Sequence, residues 1–225
     1  MRVRHFLRAV FLGLSVTTLS FAAAADTAGA QSFVEREAGQ IKKLVDQNAP
    51  VADVTKVISD MVDPDAIAQA SLGNPCPATV PACTNHWAEL KPEQQKEVRD
   101  LFKQIVERKY RDNAYKTKDY DMTVLRAKEE TSNLTKVRTE AKNKTKPRDP
   151  PVQVDYIIRC DAQNVCKAVD LIMEGSRMTK NYYDQSHKML TTEGQGYPYF
   201  LQKLKDRAAG KTNKDSALKQ SPRIL

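Results

Sequence analysis

Histidine and tryptophan are scarce in this 225-residue chain, with three of the first and one of the second. His5 lies in the N-terminal stretch, so only His86 and His187 remain for the body, and neither adjoins a nucleophile motif. No glycine-rich phosphate loop and no Gly-x-Ser-x-Gly elbow occurs among the eight glycines. Nucleotide-cradling and serine-hydrolase chemistry therefore have no motif to rest on. The four cysteines are not in the C-x₂₋₄-C spacing of zinc ligands, and only His86 lies near either pair, which argues against a metal. No apolar run reaches the roughly 20 residues of a bilayer-spanning helix. The mean hydropathy of −0.58 fits a water-soluble body.

What the chain does have begins at its N-terminus. Arg2, Arg4 and Arg8 precede an apolar run from Ala9 to Phe21, followed by Ala23-Ala24-Ala25 and Ala28-Gly29-Ala30. A charged start, a short apolar middle and an A-x-A end describe a secretory signal peptide over residues 1–30, cut after Ala25 or Ala30. Residues 31–210 then form a single domain, and the polar, non-periodic residues 211–225 a disordered tail. Three of the 36 Lys+Arg and one of the 28 Asp+Glu lie in the first thirty residues, so net charge +6 remains beyond Ala30. That favours anionic surfaces such as lipid headgroups or nucleic acid, though such charge is also common without a partner. Export makes disulfides chemically reasonable. Cys76 and Cys83 bracket a proline-rich loop, and Cys160 and Cys166 bracket a short turn between strand-like runs. Four cysteines allow three connectivities, of which short loops favour the two local pairs.

Ser32 with Glu35 makes a capping box before Val34, Ala38, Ile41, Leu44 and Val45, which predicts a first helix to about Asn48. Val51, Val54, Val57, Ile58 and Met61 form a second helical stripe, and Asp63-Pro64 opens a third helix to Leu72-Gly73. Residues 74–85 read as a stapled loop. The longest helix runs from Pro92 to about Asn113, with Val98, Leu101, Phe102, Ile105, Val106 and Tyr110 on one face. The period then changes from 3.6 to 2. Tyr120, Met122 and Val124 alternate with polar residues, as do Thr135 to Ala141, Val152 to Ile158, and the set Val165, Val169, Leu171 and Met173. Two helices follow, about Met178 to Leu190 and Tyr197 to Ala209. The expected fold class is α+β, with four antiparallel strands covered by helices on one face.

Asp155 and Asp170 are the carboxylates placed well inside predicted strands, and both fall on the polar alternation face, which argues against a buried acid–base site. The basic run Lys136, Arg138, Lys142, Lys144, Lys146 and Arg148 lacks the aromatic platforms of nucleic-acid binding, so a solvated face is the better reading. Leu101, Phe102, Ile105 and Tyr110 are expected to meet the apolar sheet face. Sequence alone does not separate a filled core from a cavity.

The motif order resembles the MlaC family, also described as toluene-tolerance auxiliary proteins. The resemblance lies in VDPDAIAQASLG (Val62–Gly73), HWAELKPEQQKEVRDLFKQIVERKY (His86–Tyr110), VDYIIRC (Val154–Cys160) and AVDLIMEGSRMTKNYYDQSHKML (Ala168–Leu190). It covers roughly residues 33 to 208. The Cys76–Cys83 loop departs from the family as an insertion between its Leu-Gly and its Trp, and Ser176-Arg177-Met178 departs at the turn after Glu174-Gly175. Asn133-Leu134-Thr135 and Asn143-Lys144-Thr145 match a glycosylation acceptor pattern that means nothing in a bacterial envelope.

The resemblance implies an NTF2-like sheet with an added helical subdomain enclosing an apolar cavity for acyl chains. It implies a monomeric, non-enzymatic periplasmic phospholipid carrier with no cofactor and no nucleic-acid partner. Such a carrier shuttles lipid between an outer-membrane lipoprotein complex and an inner-membrane ABC-transporter complex, maintaining outer-membrane lipid asymmetry. The walls expected on that basis are Met61, Ile67, Leu72, Trp87, Leu101, Ile105, Met122, Val137, Val154, Tyr156, Ile158, Leu171 and Met173. A carrier of another amphiphile such as a hopanoid, a small NTF2-like enzyme and an envelope adaptor with a filled core stand as alternatives.

Overall fold

Asp26 opens the first helix, α1 (Thr27–Asp46), its carboxylate accepting from the Gly29 amide at 2.8 Å. The computed structural model describes residues 26–211. The signal segment up to residue 25 and the tail from residue 212 lie outside the described residues. Ser32 and Glu35 sit inside α1 and do not start it, because Asp26 already satisfies an amide that would otherwise be orphaned. The second helix, α2 (Val51–Met61), follows Pro50, and Asp63 caps α3 (Pro64–Ala70) by accepting from the Ala66 amide at 2.9 Å. The helix ends at Ala70, short of the Leu72-Gly73 stop expected; Gly73, with φ +85°, follows in the turn, and a Cβ there would lie 2.4 Å from the Thr84 carbonyl oxygen. The loop beyond it is closed by the Cys76–Cys83 disulfide. A four-residue helix that periodicity could not show, α4 (His86–Glu89), precedes the long α5 (Pro92–Lys116).

The sheet holds β1 (Tyr120–Thr131), β2 (Leu134–Asn143), β3 (Val152–Cys160), β4 (Cys166–Met173) and β5 (Ser176–Arg177), antiparallel in sequence order. The fifth strand corrects the expected four. It is two residues long, too short to alternate, and joins β4 through Glu174-Gly175 at φ +49° and +77°, a two-residue hairpin turn. β4 begins at Cys166, so Val165, expected in the strand, lies outside it and is exposed. Cys160 and Cys166 face each other across the β3–β4 hairpin and are bonded. Two helices close the fold, α6 (Met178–Thr191) and α7 (Gly196–Ala208).

Helix α1 crosses the sheet from β1 to β4, burying Ala30, Phe33 and Val34 in one core with Val137, Ile158 and Ala168. Helices α1, α2, α3 and α7 gather on α5, and Val62 and Asp63 bridge the helical layer to β4 at Ala168. A second, smaller cluster of Val45, Val54, Ile58 and Ala114 forms where α1, α2 and α5 meet.

The opposite sheet face corrects the reading of the strand carboxylates. Asp155 and Asp170 lie on the polar alternation face, yet they are only 2% and 5% exposed. Arg138 grips Asp155 with two bonds of 2.9 Å. A chain of ion pairs, Lys136–Glu130 at 2.7 Å, Glu130–Arg177 at 2.6 Å and Arg177–Asp170 at 3.2 Å, crosses from β1 to β5. Ile157, in register with Lys136 and Asp170, is sealed beneath it. Long cationic arms cover this face, so alternation named the face correctly while polarity misjudged its exposure.

Candidate ligand-binding site

Met61, Ile67, Leu72, Leu101 and Ile105 from the helices share one buried cluster with Val137 and Ile158 from the sheet, and Trp87 and Tyr156 pack against it. Leu171 is buried, Val154 and Met173 are half-buried partners across β3–β4, and Met122 stands exposed at 36%. The expected walls thus divide by depth. Met61, Ile67, Leu72, Leu101 and Ile105 from the helices and Val137 from the sheet are buried, while Trp87 on α4 is half-buried. The sheet residues Val154, Tyr156 and Met173 keep surface open on the same strand face.

Three phenols belong to the main core between the sheet and the helices, Tyr182 on α6 buried in it and Tyr110 on α5 and Tyr156 on β3 packed against it. Burial pushes the Tyr156 hydroxyl up to about 12. Burial raises the Tyr110 hydroxyl well above its usual value, and Tyr156, Asp170 and Tyr182 add to the rise. Burial also raises Tyr182, against a lowering pull from Arg207, whose guanidinium lies 5.5 Å over its ring. Tyr182 meets Phe102 edge to face at 5.4 Å. The row runs from the sheet to α7, offering apolar bodies with polar tips, which suits an amphiphile better than a filled aliphatic core does.

Asp170 positions one wall of this row. Its carboxylate accepts from the Thr179 amide at 3.0 Å, the Thr179 hydroxyl at 2.7 Å, the Leu171 amide at 2.8 Å and Arg177 at 3.2 Å. Burial raises its pKa, and these donors partly offset the rise. Thr179 starts α6, so the same contacts fix Tyr182 one turn later. Every face of the carboxylate is engaged by a donor, which suits anchoring and leaves poor access for proton transfer to a substrate.

Two surface clefts, of mixed polar and apolar lining, contain none of the expected wall residues. One, of about 490 Å³, lies at the β4–β5 turn around Arg177; the other, of about 420 Å³, lies between α4 and α6. The second holds His86, 3% exposed, whose Nε2 meets His187 Nδ1 at 2.8 Å and whose Nδ1 meets Glu89 at 3.0 Å. Among the described residues no group of His, Cys, Asp and Glu is arranged to hold a metal, and no helix is long and apolar enough to cross a membrane.

The family described as MlaC protein matches residues 31–206. The chain belongs to the MlaC family. The fold agrees with a solved structure, a phospholipid-binding protein from Ralstonia solanacearum in complex with a phospholipid. That match has a TM-score of 0.63 and 20% identity, over 84% of this chain and 99% of the other. No curated protein matches the sequence. The MlaC match begins inside α1 and ends inside α7, so it contains the whole phenol row. Sequence reasoning placed Tyr156 among the walls and Tyr110 on the helix face, but gave Tyr182 no role. The signal available for Tyr182 was its tyrosine-containing helix; nothing in the strand or helix period could bring α7 to it.

Proposed function

We propose that this MlaC-family protein is a periplasmic carrier that binds a phospholipid by its acyl chains. It passes the lipid between an outer-membrane lipoprotein complex and an inner-membrane ABC-transporter complex, maintaining outer-membrane lipid asymmetry. The signal-like N-terminus and the two disulfides support an oxidising envelope compartment. The observation that carries the binding reading is the set of phenols Tyr110, Tyr156 and Tyr182, packed in or against the core between sheet and helices, with the half-buried Val154 and Met173, all within the MlaC match over residues 31–206. Each acyl CH₂ withdrawn from water contributes about 0.8 kcal/mol, so an apolar surface suffices for affinity and no catalytic group is required.

Native mass spectrometry of the protein recovered from its own periplasm tests this. A co-purifying lipid is expected, and its mass identifies the cargo, phospholipid or hopanoid. Val154→Glu, at a half-buried position that tolerates the larger side chain, should abolish retention while the far-UV circular dichroism stays unchanged. A folded protein that neither retains nor accepts lipid would sink the carrier reading.

A further inference from the structure

The two histidines beyond the N-terminal segment meet each other across the helical layer. His86 opens α4 and is 3% exposed, and the half-buried His187 comes from α6. His86 Nε2 lies 2.8 Å from His187 Nδ1, and His86 Nδ1 lies 3.0 Å from Glu89. A carboxylate accepts, so His86 Nδ1 donates to Glu89; in the neutral ring Nε2 then accepts from His187 Nδ1–H. One added proton leaves the imidazole–imidazole bond standing, because one ring still offers a lone pair. A second sets N–H against N–H at that same separation.

Tyr183 frames the pair. Its ring stacks on His187 at 5.6 Å and on His86 at 6.4 Å, and its hydroxyl accepts from the Thr84 amide at 2.9 Å, two residues before His86. His86 lines the cleft between α4 and α6, where Glu89 is the one charged residue among the described lining. The phenol of Tyr197 enters that lining from α7, raised by burial and then by Glu97 on α5, which is itself paired with Lys205 at 2.8 Å. Among the described residues, Glu89 alone forms an ion pair with either imidazole, so a second positive charge finds no further counter-charge there.

We propose that His86 and His187 form an acid-operated latch between α4 and α6, closed while either ring is neutral and opened when both are protonated, and that its opening loosens the cargo. The cargo half rests on the phospholipid-carrier reading. Trp87 on α4 packs against the main core and Tyr182 on α6 is buried in it, so parting the two helices disturbs both. The closed pair rejects a proton that the unfolded chain accepts, so stability falls as pH drops through the range in which imidazoles titrate.

Trp87 is the chain's one tryptophan and adjoins His86, so its fluorescence reads the latch. In lipid-free protein taken from about pH 8 to about pH 5, the range of histidine titration, its emission should shift to the red. Imidazole ¹⁵N spectra of the same wild-type protein should show that the shift follows the second protonation; a shift that follows the first would overturn the latch. His187→Asn places an uncharged amide where the Nδ1–H stood, and should hold the closed emission throughout with unchanged far-UV circular dichroism. Asp170, a carboxylate raised by burial at the start of α6, is untouched in that variant, so an acid response arising there survives the substitution. A red shift as large in H187N as in the wild type, or a wild-type emission that stays constant, would therefore overturn the proposal. Loading with dioctanoyl phosphatidylglycerol reads the cargo half: the wild type should retain several-fold less at about pH 5 than at about pH 8, and H187N equal amounts. Equal wild-type retention despite the Trp87 shift would overturn the link to cargo. A protein that shows the shift but takes up no lipid at either pH would refute the carrier reading and leave the latch standing.

Discussion

Tyr156 separates what one buried hydroxyl does for stability from what it does for binding. Its pKa rises from the ordinary 10.0 to about 12 through burial, so the folded state keeps a proton that the unfolded chain releases above pH 10. The stability it supports is whole below pH 10 and falls as pH rises toward 12. The slope is at most about 1.4 kcal/mol per pH unit. Discounted for its partial exposure, the total is on the order of 1–2 kcal/mol. Tyr156→Phe should therefore show a shallower alkaline decline in thermal midpoint than the wild type between pH 10 and 12. Parallel curves would show that the phenol is not enclosed. The strand period made this position legible, because Tyr156 falls on the same alternation face as Val154 and Ile158. Asp155 and Asp170 were legible only by face. Their burial depends on Arg138, Glu130 and Arg177, which arrive from other strands, and no local period records that arrival.

At the scale of elements, the periodic segments α2, α5, α6, α7 and strands β2, β3 and β4 fall where their spacing places them, within a few residues, while β1 starts at Tyr120 as expected but runs on past Val124 to Thr131. The elements that escaped are those too short for a period, α4 and β5, and those shifted by register. The bulge between Ile157 and Ile158 slips Val169 out of the alternation. Helix α1 is the instructive case, because its start depends on a cap and not on its stripe. Asp26 caps it and Ala30 is fully buried, so cutting after Ala30 would remove the cap and a core side chain together. We therefore expect the mature protein to begin at Asp26, which its intact mass reads directly; a start at Gln31 would contradict it. In that mature form Asp26→Ala should lower stability by about 1 kcal/mol in urea unfolding, the usual worth of an N-cap.

The whole molecule is divided between firmly packed helices and a more open sheet side. The helical layer is locked by Phe102, Phe200, Leu72 and Ile67, each nearly inaccessible, and by its ties to β4. Val154, Tyr156 and Met173 on the sheet, by contrast, are only half-buried. On the proposed reading the cargo completes the apolar packing beside these half-buried residues, so stability should depend on loading. Binding to the folded state alone stabilises by RT ln(1 + [L]/Kd), about 2.7 kcal/mol at a ligand concentration of 100 Kd. Extracting the lipid should thus lower the thermal midpoint by several degrees, and adding phospholipid back should restore it in a concentration-dependent way. Val154→Glu should melt near the lipid-free wild type and fail to respond to added lipid. If lipid-free and loaded proteins melt together although mass spectrometry shows lipid bound, the cargo lies on the outside of the fold and not between sheet and helices. That outcome would leave binding intact and move the site away from Tyr110, Tyr156 and Tyr182.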